Sequence, residues 1–267
     1  MWNPEDIREY QAPTDLLKGR VIAITGAGTG LGRAVAFSAA QRGAQVVLIG
    51  RNLKQLELVH TAIAQQRGVM ALIAPLDLER ALAKDYDTLA GAVLERFGRL
   101  DGLLHSAAQL GQLAPIEHYD MLSWCRVLHV NLTAAFALTQ VLLPALRASP
   151  DASVIFTSSG VGRRGRANWG AYAVSKFGVE GLTQVLADEM SGTTTVRVNA
   201  INPGAARTTL RRQAYPGENA DALPEPDSLV NSYLWLLGGD SRGITGQSLD
   251  CQAPTPPDSG ASPTLRR

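Results

Sequence analysis

The sequence predicts an α/β protein: a single doubly wound, Rossmann-like domain whose central parallel sheet has about seven strands and carries helices on both faces. Three observations support this fold class. Short apolar, β-branched runs alternate along the chain with longer amphipathic stretches. A glycine-rich turn directly follows the first of these runs. The length of 267 residues and the 45% share of hydrophobic residues suit one well-packed domain.

Seven short runs are predicted to be strands, because each is rich in aliphatic or β-branched residues and is flanked by polar or turn-forming residues. The first, residues 21–25, is almost entirely apolar, as expected of a strand buried on both faces. In chain order the predicted strands are 21–25, 45–49, 71–74, 100–104, 153–157, 196–201 and 247–250. The intervals between them leave room for crossover helices, which makes the sheet parallel.

Helical stretches fill these intervals, and their apolar residues recur every three or four positions. After the second strand, for example, Leu53, Leu56, Val59 and Ile63 fall on one face of a helix. The predicted helices are 32–42, 53–63, 82–97, 121–146, 170–190 and 228–237.

The alternation predicts one domain over residues 19–252, since no linker interrupts it. Residues 1–18 are expected to form an N-terminal arm. Residues 253–267 are rich in Pro and Ser, and we expect them to be a disordered tail.

Composition argues against several classes of partner. Lys+Arg number 25 and Asp+Glu 24, so the net charge of +1 gives no basic field for nucleic acid. The two cysteines, Cys125 and Cys251, are far apart and suggest neither a disulfide scaffold nor a metal site. The most apolar run, 132–146, contains polar residues and is shorter than a bilayer span. We therefore expect a cytoplasmic protein with no metal, nucleic-acid or membrane partner.

The turn after the first strand is typical of a dinucleotide site. Its glycines allow a sharp turn and a close approach to a pyrophosphate, which then lies at the N-terminus of the following helix. An ordinary strand-to-helix turn is the alternative, but the position after the first strand of a βαβ chain favours nucleotide binding. The candidate residues are Gly26, Gly28, Thr29, Gly30, Leu31 and Gly32.

The end of the second strand indicates which dinucleotide is bound. A carboxylate about 20 residues after the glycines would bind an unphosphorylated ribose. Here Gly50 is followed by Arg51 and Asn52, and an arginine favours the 2′-phosphate of NADP over NAD. The alternative is that Arg51 is simply solvated at the sheet edge. Asp77 and Leu78, after the third strand, are candidates for the adenine rim.

Tyr172 and Lys176 lie four residues apart in a predicted helix and so share a face. A phenol with a pKa near ~10 is a weak acid–base catalyst at neutral pH, and a neighbouring lysine cation favours the phenolate. Such a pair would protonate a carbonyl oxygen or deprotonate an alcohol. Taken alone, this spacing occurs by chance in many helices.

Five motifs in order resemble those of the short-chain dehydrogenase/reductase family, in its compact single-domain branch. The likeness covers roughly residues 19–250. Its motif positions are Gly26, Gly30 and Gly32; Asn131; Ser159; Tyr172 and Lys176; and Pro203 and Gly204 with Thr208.

The resemblance implies hydride transfer between NADP(H) and a carbonyl or alcohol substrate. It implies that Tyr172 is the acid–base, that Ser159 orients the substrate oxygen, and that Asn131 positions a water in a proton relay. Lys176 would bind the nicotinamide ribose and lower the pKa of Tyr172. The cofactor would also meet Ala107, Pro203, Gly204 and Thr208. A homodimer or homotetramer is implied as well.

Two segments depart from the family pattern. His105-Ser106-Ala107-Ala108 stands where the family shows Asn-Asn-Ala-Gly, which narrows the space beside the cofactor ribose. His105 is better explained as a structural residue than as a catalyst, since Tyr172 already fills the acid–base role. This departure motivates an alternative function, a non-catalytic NADP-binding sensor or interaction protein. The last strand ends in Asp250-Cys251-Gln252 in place of Asp-Gly-Gly, which puts the usual subunit contacts in doubt.

Arginines cluster on the presumed substrate side, before Tyr172 and after the Pro-Gly motif. They would hold an anionic substrate well, such as a carboxylate, a phosphate ester or a carrier-bound 3-oxoacyl group. A solvated loop, a subunit contact or further contact with the NADP phosphate is the alternative, and it explains the cluster more readily. The residues are Arg163, Arg164, Arg166, Arg207, Arg211 and Arg212. Residues 205–224 lie where the family has its substrate lid, and Trp169 lines the site or packs at an interface.

Overall fold

The computed structural model describes residues 6–67 and 71–253, and the predicted tail beyond residue 253 lies outside them. Within this part of the chain, seven strands form one sheet in the order β3-β2-β1-β4-β5-β6-β7, and every pairing is parallel. The strands are β1 Val21–Thr25, β2 Gln45–Gly50, β3 Leu72–Pro75, β4 Gly102–His105, β5 Ser153–Thr157, β6 Arg197–Asn202 and β7 Ser248–Asp250. The predicted fold class is confirmed.

The helices cover both faces of the sheet. In the described residues they are α1 Asp6–Glu9, α2 Gly30–Gln41, α3 Leu53–Arg67, α4 Ala83–Phe97, α5 Met121–Leu128, α6 Ala134–Arg147, α7 Gly170–Met190, α8 Thr209–Ala214 and α9 Val230–Leu237. Predicted boundaries match the observed ones at β1, β5 and α7 and elsewhere differ by up to four residues, the largest difference being at the end of α3; the predicted helix 121–146 is divided into α5 and α6. The sequence analysis did not identify α1 and α8, which have four and six residues, because so short a helix shows no apolar period.

Alternate residues along each strand enter two separate apolar cores. In β1, Ile22 and Ile24 pack against α2 and α9, whereas Val21 and Ala23 pack on the face covered by α4, α6 and α7. This alternation follows from the two-residue repeat of strand side chains. After β3 the chain returns to place β4 beside β1, so the strand order reverses there. The carboxyl ends of β1 and β4 therefore flank the crevice where doubly wound sheets bind ligands.

The described part of the predicted N-terminal arm, residues 6–18, packs into the domain. Ile7 and Leu17 are fully buried in the core that also contains α9. The hydroxyl of Ser232 donates a hydrogen bond to the Ile7 carbonyl at 3.0 Å. These contacts make the segment part of the hydrophobic core.

The longest apolar segment is one continuous helical rod, Met121–Arg147, in which a π-helical turn at His129–Thr133 joins α5 to α6. By length and composition alone this helix, which is longer than the apolar run 132–146, could cross a membrane. That test is weak evidence, because core helices of soluble proteins also pass it. Here Leu138, Leu142 and Leu146 of the rod are fully buried against the sheet.

At the end of the sheet opposite the cleft, the buried carboxylate of Asp151 contacts three arginines. Its oxygens lie 3.1 Å from Arg20, 3.1 Å from Arg197 and 3.3 Å from Arg242. Burial by itself raises the pKa of Asp151, but Arg197 and Arg20 outweigh burial, and the pKa is lowered. The stability that this carboxylate contributes is therefore present above the ordinary aspartate pKa and is lost as the pH falls through the lowered pKa.

Asp151→Ala is expected to lower the free energy of unfolding by about 3–5 kcal/mol, because it leaves the buried Arg197 without its counter-ion. Arg242→Ala is the matched control: its side chain is 73% exposed, and its loss should cost less than about 1 kcal/mol. Urea unfolding at pH 7 measures both. Equal effects of the two substitutions would show that Asp151 does not compensate buried charge.

Candidate active site

A cleft of about 890 Å³ opens at the carboxyl ends of the strands and brings together nearly all the predicted site residues. Those that line it are Gly26, Gly28, Thr29, Gly30, Leu31, Arg51, Asn52, Asp77, Leu78, Ala107, Ser159, Tyr172, Lys176, Pro203, Gly204 and Thr208. Gly32 and Asn131 are not among the lining residues. One continuous space thus joins the glycine turn to the predicted catalytic side chains.

The glycine turn is shaped for an anion at the N-terminus of α2. Gly26 and Gly30 have φ values of 68° and 52°, which favour glycine. A Cβ on Gly26 would also lie 3.0 Å from the backbone of Ala107. Thr29 caps α2 without a side-chain hydrogen bond, and the first turn of the helix has no acidic residue. The free N–H groups there suit a pyrophosphate.

Gly32 has a packing role. A Cβ at this position would collide with the carbonyl of Gly26, so only glycine lets α2 lie this close to the turn. Gly32 is not among the residues that line the cleft, so its contact with the cofactor stays a prediction.

Arg51 lies at the end of β2, exposed and facing the cleft. Within the described part of the chain its side chain has no hydrogen bond or ion pair, so its guanidinium is available to a phosphate. Its neighbours are partly engaged: Asn52 Oδ1 accepts a hydrogen bond from the Gln55 N–H at 3.2 Å, and Asp77 Oδ1 accepts one from the Glu79 N–H at 3.1 Å.

Tyr172 and Lys176 lie at the floor of the cleft, 6% and 3% exposed. Burial raises the pKa of Tyr172 to about 12, and a hydrogen bond with the Ser159 side chain opposes this rise. Burial lowers the pKa of Lys176 to about 8, while the charge of Glu180 opposes that fall. The Lys176 ammonium lies 5.6 Å from the centre of the Tyr172 ring and donates to the Thr157 carbonyl at 2.6 Å.

The expected lowering of the Tyr172 pKa by Lys176 is not seen among the protein's own groups. Desolvation of the phenol is the larger effect, and the ammonium is directed toward Thr157. Tyr172 is therefore a phenol at neutral pH, the form that donates a proton to a carbonyl oxygen.

Asn131 lies in the π-helical turn between α5 and α6, and its amide is bound on both sides. Oδ1 accepts from the Gln109 N–H at 2.7 Å, and Nδ2 donates to the Gln109 carbonyl at 2.9 Å and to the Ser175 hydroxyl at 3.0 Å. Ser175 in turn donates to the Tyr172 carbonyl at 2.7 Å. The side chain of Asn131 thus joins the loop after β4 to the Tyr172 helix.

His105, in the first departure from the family pattern, is a structural residue. It is buried, its Nε2 lies 2.8 Å from the Thr139 hydroxyl, and its ring stacks on Phe156 at 4.8 Å. Burial, together with the charge of Lys176, lowers the pKa of His105 to about 3. A neutral, stacked imidazole takes the place of the family's amide without occupying the cleft.

Three of the six arginines in the cluster, Arg163, Arg207 and Arg211, form ion pairs within the chain. Arg163 forms two hydrogen bonds with the Asp250 carboxylate, at 2.8 and 2.9 Å. Arg211 binds both oxygens of Glu218 at 2.6 Å, and Arg207 lies 2.7 Å from Glu225. Arg166 donates to the hydroxyl of Tyr215 at 2.7 Å. Internal carboxylates therefore compensate the charge of three of these arginines.

The residues after β7 that differ from the family pattern form hydrogen bonds with the Pro-Gly segment. Gln252 Nε2 donates to the carbonyls of Pro203 and Ala205, each at 2.7 Å. Asp250, besides binding Arg163, accepts from Asn202 Nδ2 at 2.8 Å. Residues 250 and 252 thus hold one wall of the cleft.

Sequence analysis missed an apolar wall beside Tyr172. Its residues come from three separate segments, and only the tertiary structure brings them together. They are Ala108 and Leu110 after β4, Trp169 before α7, and Leu210 and Ala214 on α8.

Thr208 caps α8 through a hydrogen bond from the Arg211 N–H at 3.2 Å, and this threonine is the local signal that predicts the helix start.

A partly buried serine with a buried tyrosine and lysine, beside a nucleotide-binding turn on a sheet of this order, is typical of pyridine-nucleotide oxidoreductases. Residues 20–219 match the short chain dehydrogenase model, and the chain belongs to this family of oxidoreductases.

Its relatives cover almost the whole chain. It is 45% identical to the Escherichia coli (strain K12) protein "Uncharacterized oxidoreductase YciK", over 91% of this chain and 96% of that protein. The amino-acid sequences of segments 165–172 and 233–236 resemble that protein by themselves, and the identity over the whole alignment confirms the resemblance. A solved short-chain dehydrogenase structure from Pseudomonas syringae is 52% identical, with a TM-score of 0.90 and coverage of 91% and 99%. Another, from Escherichia coli CFT073 and complexed with NADPH, is 46% identical, with a TM-score of 0.88 and coverage of 90% and 100%.

Proposed function

We propose that this protein is an NADP(H)-dependent carbonyl reductase, or alcohol dehydrogenase in the reverse direction. One observation carries the proposal: a single cleft connects the exposed, unpaired Arg51 and the glycine turn to the buried Tyr172 and Lys176. The NADPH complex of the Escherichia coli CFT073 relative supports the cofactor.

The residues present fit the cofactor. The N–H groups of the glycine turn would hold the pyrophosphate, Arg51 the 2′-phosphate, and Asp77 with Leu78 the adenine rim. Ala107, Pro203, Gly204 and Thr208 line the same cleft toward Tyr172, where the nicotinamide end belongs. When bound, NADPH supplies the hydride to the carbonyl carbon.

The protein's own part in the reaction is proton supply and positioning. The Tyr172 hydroxyl donates its proton to the carbonyl oxygen as that oxygen gains charge, and the Ser159 hydroxyl holds the same oxygen. Lys176, which donates to the Thr157 carbonyl, would bind the cofactor ribose, and its charge would stabilise the phenolate that remains. We propose that Asn131 positions a water in the proton relay that reprotonates Tyr172.

Tyr172→Phe tests this function, because it removes the reacting hydroxyl and keeps the ring. The alternative, a non-catalytic NADP-binding sensor or interaction protein, predicts cofactor binding with no turnover that depends on Tyr172. That alternative is motivated by the 105–108 segment, and the presence of Ser159, Tyr172 and Lys176 in one cleft argues against it, because a pure binding protein does not need a Tyr–Lys pair.

We further propose that the protein is a homodimer or homotetramer that pairs through the faces of α5, α6 and α7. Large apolar side chains are exposed there, 45–72% of each being accessible: Met121, Leu122, Phe136, Val174, Phe177 and Val185. Burial of such a surface favours association. Light scattering is expected to give at least twice the monomer mass of 28.4 kDa, and Phe136→Asp together with Phe177→Asp is expected to shift the protein to monomer. A wild-type monomer would contradict this.

A cytoplasmic location also remains a prediction.

A further inference from the structure

The cavity beside Tyr172 is a substrate chamber with apolar walls. Leu110, Trp169 and Ala214 are buried in one cluster with the Tyr172 ring. Leu210 and Ala214 are four residues apart on α8, so both face the chamber from the same side of the helix. A ligand that reaches the Tyr172 hydroxyl would therefore bury its own surface against hydrocarbon.

Aromatic rings define the deepest wall. The Trp169 ring lies 5.8 Å from the Tyr172 ring at an interplanar angle of 56°. Behind it, Tyr215 holds Trp169 at 5.9 Å, and Arg211 stacks on the Tyr215 ring at 3.8 Å. The indole is fixed from behind while one side of it lines the cleft. A fixed ring of this kind favours another ring against it, by about 0.5–1.5 kcal/mol beyond area burial.

The chamber offers an anion no unpaired charge. The charged residues that line the cleft in the described chain are Arg51, Asp77, Glu79, Lys176 and Arg211. Arg211 is bound by Glu218, and Glu79 accepts from Gln109 Nε2 at 2.8 Å and lies 3.6 Å from Arg126. Arg51 and Asp77 flank the nucleotide end, and Lys176 serves the catalytic step. A substrate carboxylate in the chamber would lose its hydration, and the one cation beside Tyr172 among the described lining residues, Lys176, is directed toward the Thr157 carbonyl.

From these walls we propose that the substrate is an uncharged carbonyl compound that carries an aromatic or alicyclic ring, bound with the ring against Trp169 and the carbonyl oxygen at Tyr172. This proposal rests on the proposed reductase function, because that function places the carbonyl oxygen at Tyr172. It replaces the anionic or carrier-bound substrate that the arginine cluster would hold.

Four α-keto compounds test the two parts of the proposal separately: ethyl benzoylformate, benzoylformate, ethyl pyruvate and pyruvate. They combine the presence or absence of a ring with the presence or absence of a charge. Dissociation constants are measured by calorimetry on the full-length protein loaded with NADP⁺, and turnover is measured separately as oxidation of NADPH. Ethyl benzoylformate is expected to bind at least about tenfold more tightly than either benzoylformate or ethyl pyruvate.

The variants locate the effect. Trp169→Ala is expected to reduce the preference for ethyl benzoylformate over ethyl pyruvate to about threefold or less, and Trp169→Phe is expected to retain most of it. Retention of the full preference in both variants would remove Trp169 from the proposal.

Each other outcome decides a separate point. If benzoylformate binds as tightly as ethyl benzoylformate, the proposal that the substrate is uncharged is wrong. If ethyl pyruvate binds as tightly as ethyl benzoylformate, the proposal that the substrate carries a ring is wrong. Absence of binding by all four compounds would overturn the chamber assignment. Tight, ring-dependent binding without oxidation of NADPH would leave the chamber standing and count against the reductase function.

Discussion

Tyr172→Phe is expected to lower kcat/KM for carbonyl reduction by about 10²–10⁴-fold, the usual contribution of a positioned general acid. The hydroxyl is the only part of the side chain that the substitution removes. Burial keeps the pKa of Tyr172 at about 12, so the wild-type hydroxyl carries its proton throughout the neutral range. NADPH binding is expected to stay within about threefold of wild type, measured by calorimetry.

Tyr215→Phe is the matched control for this substitution. It also removes a tyrosine hydroxyl near the site, one that accepts a hydrogen bond from Arg166, but Tyr215 does not line the cleft. Its kcat/KM should stay within about tenfold of wild type. If Tyr172→Phe kept more than a tenth of wild-type kcat/KM, Tyr172 would not be the proton donor.

Replacement of Arg51 by alanine is expected to weaken NADPH binding by about 10–100-fold and to leave NADH binding nearly unchanged. A hydrogen bond to a charged group contributes about 1.5–3 kcal/mol, and a tenfold change in affinity corresponds to about 1.4 kcal/mol. Only NADPH carries the 2′-phosphate that Arg51 would bind. Thermal stabilisation over a concentration series of each cofactor gives the two affinities.

Arg33→Ala controls for the loss of one positive charge, because Arg33 is exposed on α2 and does not line the cleft. It is expected to change neither affinity by more than about twofold. An equal loss of NADPH and NADH affinity in Arg51→Ala would indicate a general electrostatic effect. A wild-type preference for NADH would overturn the assignment of NADP to this protein.

Local sequence was sufficient to predict the strands of the sheet and the nucleotide-binding end of the cleft. The predicted strands follow from period and β-branching, which depend on neighbours in sequence, and the glycine turn follows from backbone conformations that only glycine adopts readily. Arg51 was predicted from its position at the end of β2, and the structure leaves it exposed and unpaired within the described chain. These features survive because they require few long-range contacts.

Long-range partners decided the rest. Arg163, Arg207 and Arg211 belonged to a candidate anion site until the fold paired them with acids 7 to 87 residues away. A charge acts on whatever lies within a few ångströms of it, and sequence separation does not give that distance. Burial raises the pKa of Tyr172, and that burial comes from packing between segments distant in sequence.

The sequence by itself determined the family, the order of strands and helices along the chain, and which residue types stand at the candidate catalytic and cofactor positions. Tertiary structure alone decided what surrounds them: the apolar chamber of Leu110, Trp169 and Ala214, and the bonds from Gln252 to the Pro-Gly segment. Local patterns specify backbone conformation, whereas the solvation, charge and shape of a site depend on residues that only folding brings into contact.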